Sequence, residues 1–212
     1  MCPYARSSID SLISWLQERP ILLLIYSSIS IKEEIDLKIL FINGCDKDYS
    51  FGLQTIQKLS EVLTQKGHTY LLKNLSDLSL KPCISCDCCQ TKKPGFCSLN
   101  DGLNEVLKEY LASDLALIMT PILFGTCNSR TKAFIDRTQP LFMPYQKLTI
   151  NDMAPRYAKY PDVKFLGLCQ GTSPEGIVNL KETFLNCSLA LQSKHHDVQV
   201  LHKLADLETI HF

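Results

Sequence analysis

From residue 38 onward, short apolar runs alternate with apolar stripes at helical spacing. Lys38-Ile39-Leu40-Phe41-Ile42-Asn43 is unbroken enough to predict a strand buried on both faces, closed by Gly44. Leu53, Ile56, Leu59 and Leu63 recur on one face and predict a helix that Gly67 stops. Residues 68–72 form the second predicted strand. Leu103, Val106, Leu107, Tyr110 and Leu111 mark the next helix, with Asn100 and Asp101 as its expected caps. Residues 115–119 give a third strand, followed by Thr120-Pro121, and 126–138 read as helix. Residues 164–169 give a fourth strand. Ile177, Leu180, Phe184, Cys187 and Leu191 give a helical stripe, and residues 198–201 a fifth strand.

Strands that alternate with helices predict right-handed crossovers. The expected fold is therefore α/β, a doubly wound five-stranded parallel sheet over residues 37–212, covered on both faces. Ligands of such sheets lie beyond the carboxyl ends of the strands. That singles out three loops, at 45–52, 120–126 and 169–173. Residues 139–163 carry Pro140, Pro144, Pro155 and Pro161 and no helical stripe. They predict an excursion beside the site, or a subunit contact.

Residues 1–36 read as an extension. Ile9, Leu12, Ile13 and Leu16 form a short helical stripe that ends before Pro20, and residues 21–31 have strand character. The longest apolar stretch, residues 21–26, is far short of the roughly 20 residues that span a bilayer. No basic segment leading into a clean apolar core stands at the start, so a reducing cytoplasm is the expected compartment.

Charge narrows the partners. The chain's 22 basic and 22 acidic side chains balance, leaving no general basic field for nucleic acid or an anionic membrane. Of its 10 cysteines, five crowd into residues 83–97, which argues against a disulfide framework and for metal or redox chemistry. Cys83, Cys86 and Cys89 fall at C-x2-C-x2-C spacing, and Cys97 follows seven residues later. Cys88 is not needed in this register. Three thiols this close lean towards an iron–sulfur centre, because a cluster spreads its ligands over several irons. Zinc, or a loop of metal-free thiols, stays open: structural zinc usually takes two C-x2-C knuckles, and the second is missing.

At the first loop, Gly44-Cys45-Asp46-Lys47-Asp48-Tyr49-Ser50-Phe51-Gly52 runs straight into a helix. Free N–H groups and the helix dipole suit a phosphate there, with Lys47, Ser50, Phe51 and Gly52 as candidates. Asp46 and Asp48 oppose a phosphate unless they point outward. Ser50 also reads as a plain N-cap. Thr120-Pro121-Ile122-Leu123-Phe124-Gly125-Thr126 is apolar where such loops are usually polar, which suits a flat heteroaromatic ring. Cys169-Gln170-Gly171-Thr172-Ser173 is small and polar and can line the opposite side. The five histidines include His195, His196, His202 and His211, crowded towards the C-terminus; none is expected to be a ligand.

With these pieces in order, residues 38–137 resemble the NADPH-dependent FMN reductase and iron–sulfur flavoprotein group of flavodoxin-like proteins. The matching stretches are Ile42-Asn43-Gly44 with Ser50-Phe51, Lys81-Pro82-Cys83-Ile84-Ser85-Cys86 through Cys97, and Asn100-Asp101-Gly102. They continue with Thr120 to Gly125 and with Lys132-Ala133-Phe134-Ile135-Asp136-Arg137. The resemblance implies FMN across the three loops. Cys45, where the family often has serine, Ser50, Phe51 and Gly52 would stand at the phosphate. Pro121, Ile122, Leu123, Phe124 and Gly125 would lie beside the isoalloxazine ring, with Cys169, Gln170, Gly171 and Thr172 opposite. Cys83, Cys86, Cys89 and Cys97 would stand at the ligands of a 4Fe–4S cluster.

The resemblance also implies a function: an oxidoreductase that takes electrons from NAD(P)H through FMN, and through the cluster, to an acceptor. The flavin would carry the chemistry, with no side-chain catalyst. A homodimer or homotetramer is implied, with small-molecule donor and acceptor or a ferredoxin-like protein partner. Two other readings stand beside it. One is a cluster-free NAD(P)H:quinone or FMN reductase, in which the cysteine loop is only a lid. The other is an electron-transfer or redox-sensing flavoprotein without turnover.

Overall fold

A computed structural model describes residues 36–146 and 153–210. The helix and strand expected within residues 1–35 lie outside the described residues, as does His211.

The core of the sheet is built from the predicted apolar runs. β1 (Lys38–Asn43) pairs in parallel with β2 (Thr69–Asn74) on one side and with β3 (Leu115–Leu123) on the other. β7 (Asp162–Leu168) lies beyond β3, and β8 (His196–Leu201) beyond β7, all parallel. The order β2-β1-β3-β7-β8 is doubly wound, with the chain reversing direction across the sheet between β1 and β3. Burial follows position. β1 is buried from its second residue on and β3 up to Ile122, whereas the edge strands β2 and β8 are only partly buried.

Alternation along each strand divides the core in two. Leu40, Ile42, Ala116, Ile118 and Phe165 face one layer. There they meet α2 (Leu103–Leu111), α3 (Ser129–Asp136) and α4 (Pro174–Ala190). Phe165 and Phe184 stack there with ring centroids 4.3 Å apart, and Tyr110 donates its hydroxyl to the Leu191 carbonyl at 2.7 Å. Ile39, Phe41, Leu117, Met119 and Leu166 face the other layer. They pack on α1 (Ser50–Gln65) and on a C-terminal 3-10 turn, Leu204–Thr209.

Four local expectations are corrected. The second loop is not an open loop: β3 runs on to Leu123 and turns back into β4 (Thr126–Cys127), which pairs antiparallel with it. Phe124 and Gly125 form the two-residue turn with φ of 49° and 74°, a hairpin whose mirror-image turn matches strand twist. The helix expected from residue 126 therefore starts only at Ser129, capped by Asn128. α2 is entered through Gly102 at φ 89°, not capped by Asn100 or Asp101, because Asp101 is committed to Arg137. Leu53 is half exposed, so the buried face of α1 is Gly52, Thr55, Leu59 and Leu63.

The proline-rich connection is an excursion of β5 (Phe142–Gln146) and β6 (Met153–Pro155), paired antiparallel after a 3-10 turn at Gln139–Leu141. Arg156 ties it down, donating to the carbonyls of Pro140 at 3.0 Å and Phe142 at 2.9 Å. It also donates to Gln90 Oε1 at 2.7 Å, so the excursion packs against the cysteine loop.

Candidate functional site

The first loop leaves β1 at Asn43, where the chain changes direction across the sheet. The Gly44 N–H donates to the Met119 carbonyl of β3 at 2.8 Å. A Cβ on Gly44 would stand 1.9 Å from Thr131 Oγ1, so only glycine fits this crossing. Cys45 is buried under the loop, its N–H donating to Asn43 Oδ1 at 2.9 Å. Burial, then the Asp46 charge, pushes the Cys45 thiol up to about 12.

α1 begins without a side-chain cap. Tyr49 is its N-cap residue, and Ser50 is the first helical residue, so Ser50 is not the cap. The Ser50 hydroxyl instead accepts from Gln54 Nε2 at 3.1 Å. α3 and α4 are both capped, by Asn128 and Ser173. Among the described residues, the first-turn N–H groups of α1, at Ser50, Phe51 and Gly52, have neither an intrahelical nor a capping partner, which fits a phosphate group. Asp46 turns to Arg130, its Oδ1 accepting at 2.8 Å, and Lys47 pairs with Asp77 at 2.7 Å. Both pairs are solvent-exposed.

All three loops meet. Burial raises the Tyr49 pKa, and the thiols of Cys45 and Cys169 raise it further. The hairpin tip touches the start of α4: a Cβ on Gly125 would stand 3.0 Å from the Gly176 Cα. Pro121, Ile122 and Cys169 are buried, whereas Leu123 is half exposed and Phe124 fully exposed. Gln170 is exposed, Gly171 turns at φ 77°, and Thr172 lies against Gly176. An apolar tip and uncapped amides, both at the carboxyl end of the sheet, suit an amphiphilic cofactor with a flat ring and an anionic tail.

The cysteine loop forms a separate cleft of about 180 Å³, lined by Cys83, Cys86, Cys89 and Cys97 but not Cys88. Ser85 and Asp87 adopt φ of 49° and 51°, and these left-handed residues curl the loop. The Cys86 thiol pKa is held below the usual thiol range, chiefly by hydrogen bonding to Ser98. Cys89 is pushed up by burial and by the neighbouring Cys97, Cys86 and Cys83. The four thiols therefore share one electrostatic neighbourhood, which fits the donor set of a cluster. Among the described residues, however, no group of three or more His, Cys, Asp or Glu is placed to hold a metal ion. A 4Fe–4S centre takes one thiolate per iron and needs wider spacing than a single ion.

Several residues escape pattern reading. Asn128 donates to the Gly44 carbonyl, accepts from the Thr131 N–H and lies against Thr120. Its signal was present, since asparagine before a helix is a strong cap, but a helix started at residue 126 hides it. Asn104 clasps the Cys97 backbone, accepting its N–H at 2.9 Å and donating to its carbonyl at 3.0 Å. Arg137 is buried against the same cleft. His195 and His196 stand at the start of β8, at the opposite end of the sheet from the three loops. His202 follows β8 and is exposed.

Relatives place the chain. An iron–sulfur flavoprotein of Methanocaldococcus jannaschii is 26% identical over 110 residues, 52% of this chain and 56% of that protein. An iron–sulfur flavoprotein of Methanosarcina thermophila is 24% identical over 102 residues, 48% of this chain and 52% of that one. The chain thus spans about half the length of the curated relatives it matches. The solved NAD(P)H:quinone oxidoreductase of Methanothermobacter marburgensis superposes with a TM-score of 0.59 at 15% identity, over 78% of this chain and 83% of that one, a likeness of fold. Residues 37–151, which hold the first loop, the cysteine loop and the hairpin, match the model of the NADPH-dependent FMN reductases, and the chain belongs to that family.

Proposed function

We propose that the protein is an FMN-dependent NAD(P)H oxidoreductase whose cysteine loop carries a 4Fe–4S cluster. The observation that carries the flavin is the uncapped N-terminus of α1, beside the turn of the chain between β1 and β3. Bound FMN would supply hydride acceptance and one-electron release. The chain's own residues then have defined tasks. The N–H groups of Ser50, Phe51 and Gly52 hold the phosphate, and Arg130 keeps the Asp46 carboxylate turned aside. Pro121 to Gly125 give the ring an apolar edge, and Cys169 to Thr172 line its other side. Exposed Leu123 and Phe124 are suited to a second copy of the chain closing over the ring, in a homodimer or homotetramer.

The convergence of Cys83, Cys86, Cys89 and Cys97 on one cleft supports the cluster. The name iron–sulfur flavoprotein borne by two relatives supports it as well. A small quinone or a ferredoxin-like protein suits the acceptor role. A cluster-free reductase is the second reading, favoured by the want of a ready metal-ion site among the described residues.

The deciding experiment is an absorption spectrum of anaerobically purified protein, with iron and sulfide assays and NAD(P)H oxidation. Broad brown absorbance with bound FMN is expected. Cys86→Ser should lose iron and keep FMN, whereas Cys88→Ser should keep both. A plain yellow spectrum without iron favours the cluster-free reductase, and failure to retain FMN overturns the flavin reading.

A further inference from the structure

Arg137 is 1% exposed, and its partner Asp101 only 5%. Nη1 donates to Asp101 Oδ2 at 2.5 Å and to the Lys81 carbonyl at 2.9 Å. Nη2 donates to Asp101 Oδ1 at 2.9 Å and to Cys97 Sγ at 3.1 Å. Asp101 Oδ2 in turn accepts the Lys81 N–H at 2.9 Å. One ion pair therefore grips the loop just before Cys83 and again at Cys97.

The two-pronged bond to Asp101 would satisfy the ion pair alone. The guanidinium's other N–H groups still need partners: one on Nη2 goes to sulfur and not to an oxygen, while Nε has no partner among the described residues. A neutral thiol is a weak acceptor, whereas a thiolate or metal-bound sulfur is a good partner for a cation. Burying a guanidinium is costly, and a purely structural pair is often no better than an apolar one. Its persistence beside a thiol-lined cleft calls for a task there. Asn104 fixes the Cys97 backbone on the other side, so backbone and sulfur are held independently.

We propose that Arg137, fixed by Asp101, is the positioning residue of the cysteine cleft: it aims the Cys97 sulfur and offsets the negative charge that four thiolates bring to an iron–sulfur centre. This rests on the reading of Cys83, Cys86, Cys89 and Cys97 as cluster ligands. Hydrogen bonds to ligand sulfurs and nearby charge set both the affinity and the potential of such centres. A cation beside Cys97 favours the reduced, more negative state and so raises the potential.

The test uses full-length wild type, Arg137→Lys and the double variant Asp101→Asn/Arg137→Met, each reconstituted anaerobically with ferrous iron and sulfide. Lysine keeps the charge and loses the fork. The double variant removes both charges, so neither is left buried alone. FMN binding reports whether each variant is folded. Both variants should bind FMN as wild type does. Both should also hold iron about 10- to 100-fold more weakly against a chelator. The midpoint potential should fall in the double variant and fall less in Arg137→Lys. If folded variants hold iron as tightly and keep the wild-type midpoint, Arg137 only ties the loop, and the proposal is wrong while the cluster stands. If wild type itself takes up no iron, the cluster reading and this proposal fall together.

Discussion

Asn128 donates its side-chain amide to the carbonyl of Gly44 at 2.6 Å, joining positions 84 residues apart. The same side chain accepts from the Thr131 N–H at 3.1 Å. One buried amide thus fixes the exit of β1 and the start of α3 together, and the first-loop backbone follows from that.

Replacing Asn128 with alanine removes the cap of α3 and leaves the Gly44 carbonyl without this donor. A loss of about 2 kcal/mol or more is expected, from one cap and one buried hydrogen bond. That corresponds to a fall in Tm of roughly 4–8 °C for a domain of this size. FMN affinity should fall too, because the loop that presents the α1 amides loosens. Thermal melts and flavin titration check this. Unchanged FMN affinity in a destabilised variant would separate Asn128 from the site.

Asp46 opposes a phosphate unless it is turned aside, and its carboxylate accepts from Arg130. Its pair with Arg130 is exposed, so Asp46→Asn should change stability by less than about 1 kcal/mol. FMN should bind more tightly in the variant, with the gain largest at low ionic strength and shrinking as salt screens it. Fluorescence titration at two salt concentrations measures both. Weaker binding would mean that Asp46 helps to build the pocket and does not oppose its ligand.

Cys45 gives a pH dependence. Its thiol is raised by burial from an ordinary value of 9.0 to about 12. Above pH 9 the unfolded chain loses this proton while the folded chain keeps it. Stability is therefore full below about pH 9 and falls as pH rises towards 12. Denaturant unfolding at pH 8, 9.5 and 10.5 should show the decline, at up to about 1.4 kcal/mol per pH unit from this group. Cys45→Ser should flatten it in part, since Cys187 is also raised, to about 11. An equal slope in both proteins would place the Cys45 thiol in water, contrary to its burial.

By itself the sequence determined the five strands of the parallel sheet and their order, because a run such as Ile39 to Ile42 has apolar side chains for both faces and a parallel sheet consumes both. It also placed the four cysteines in register, since loop spacing is local. The tertiary structure decided what depends on distant partners. Asp101 looks like a helix cap until Arg137 arrives from 36 residues away, and a buried charge must take its counter-ion before any weaker cap. Residues 126–127 look like the first turn of a helix, but they close a hairpin on β3, where sheet hydrogen bonds outweigh a marginal helical preference. Which amides are left free for a ligand followed from that same competition, because a donor is free only once every neighbour in space has found its partner.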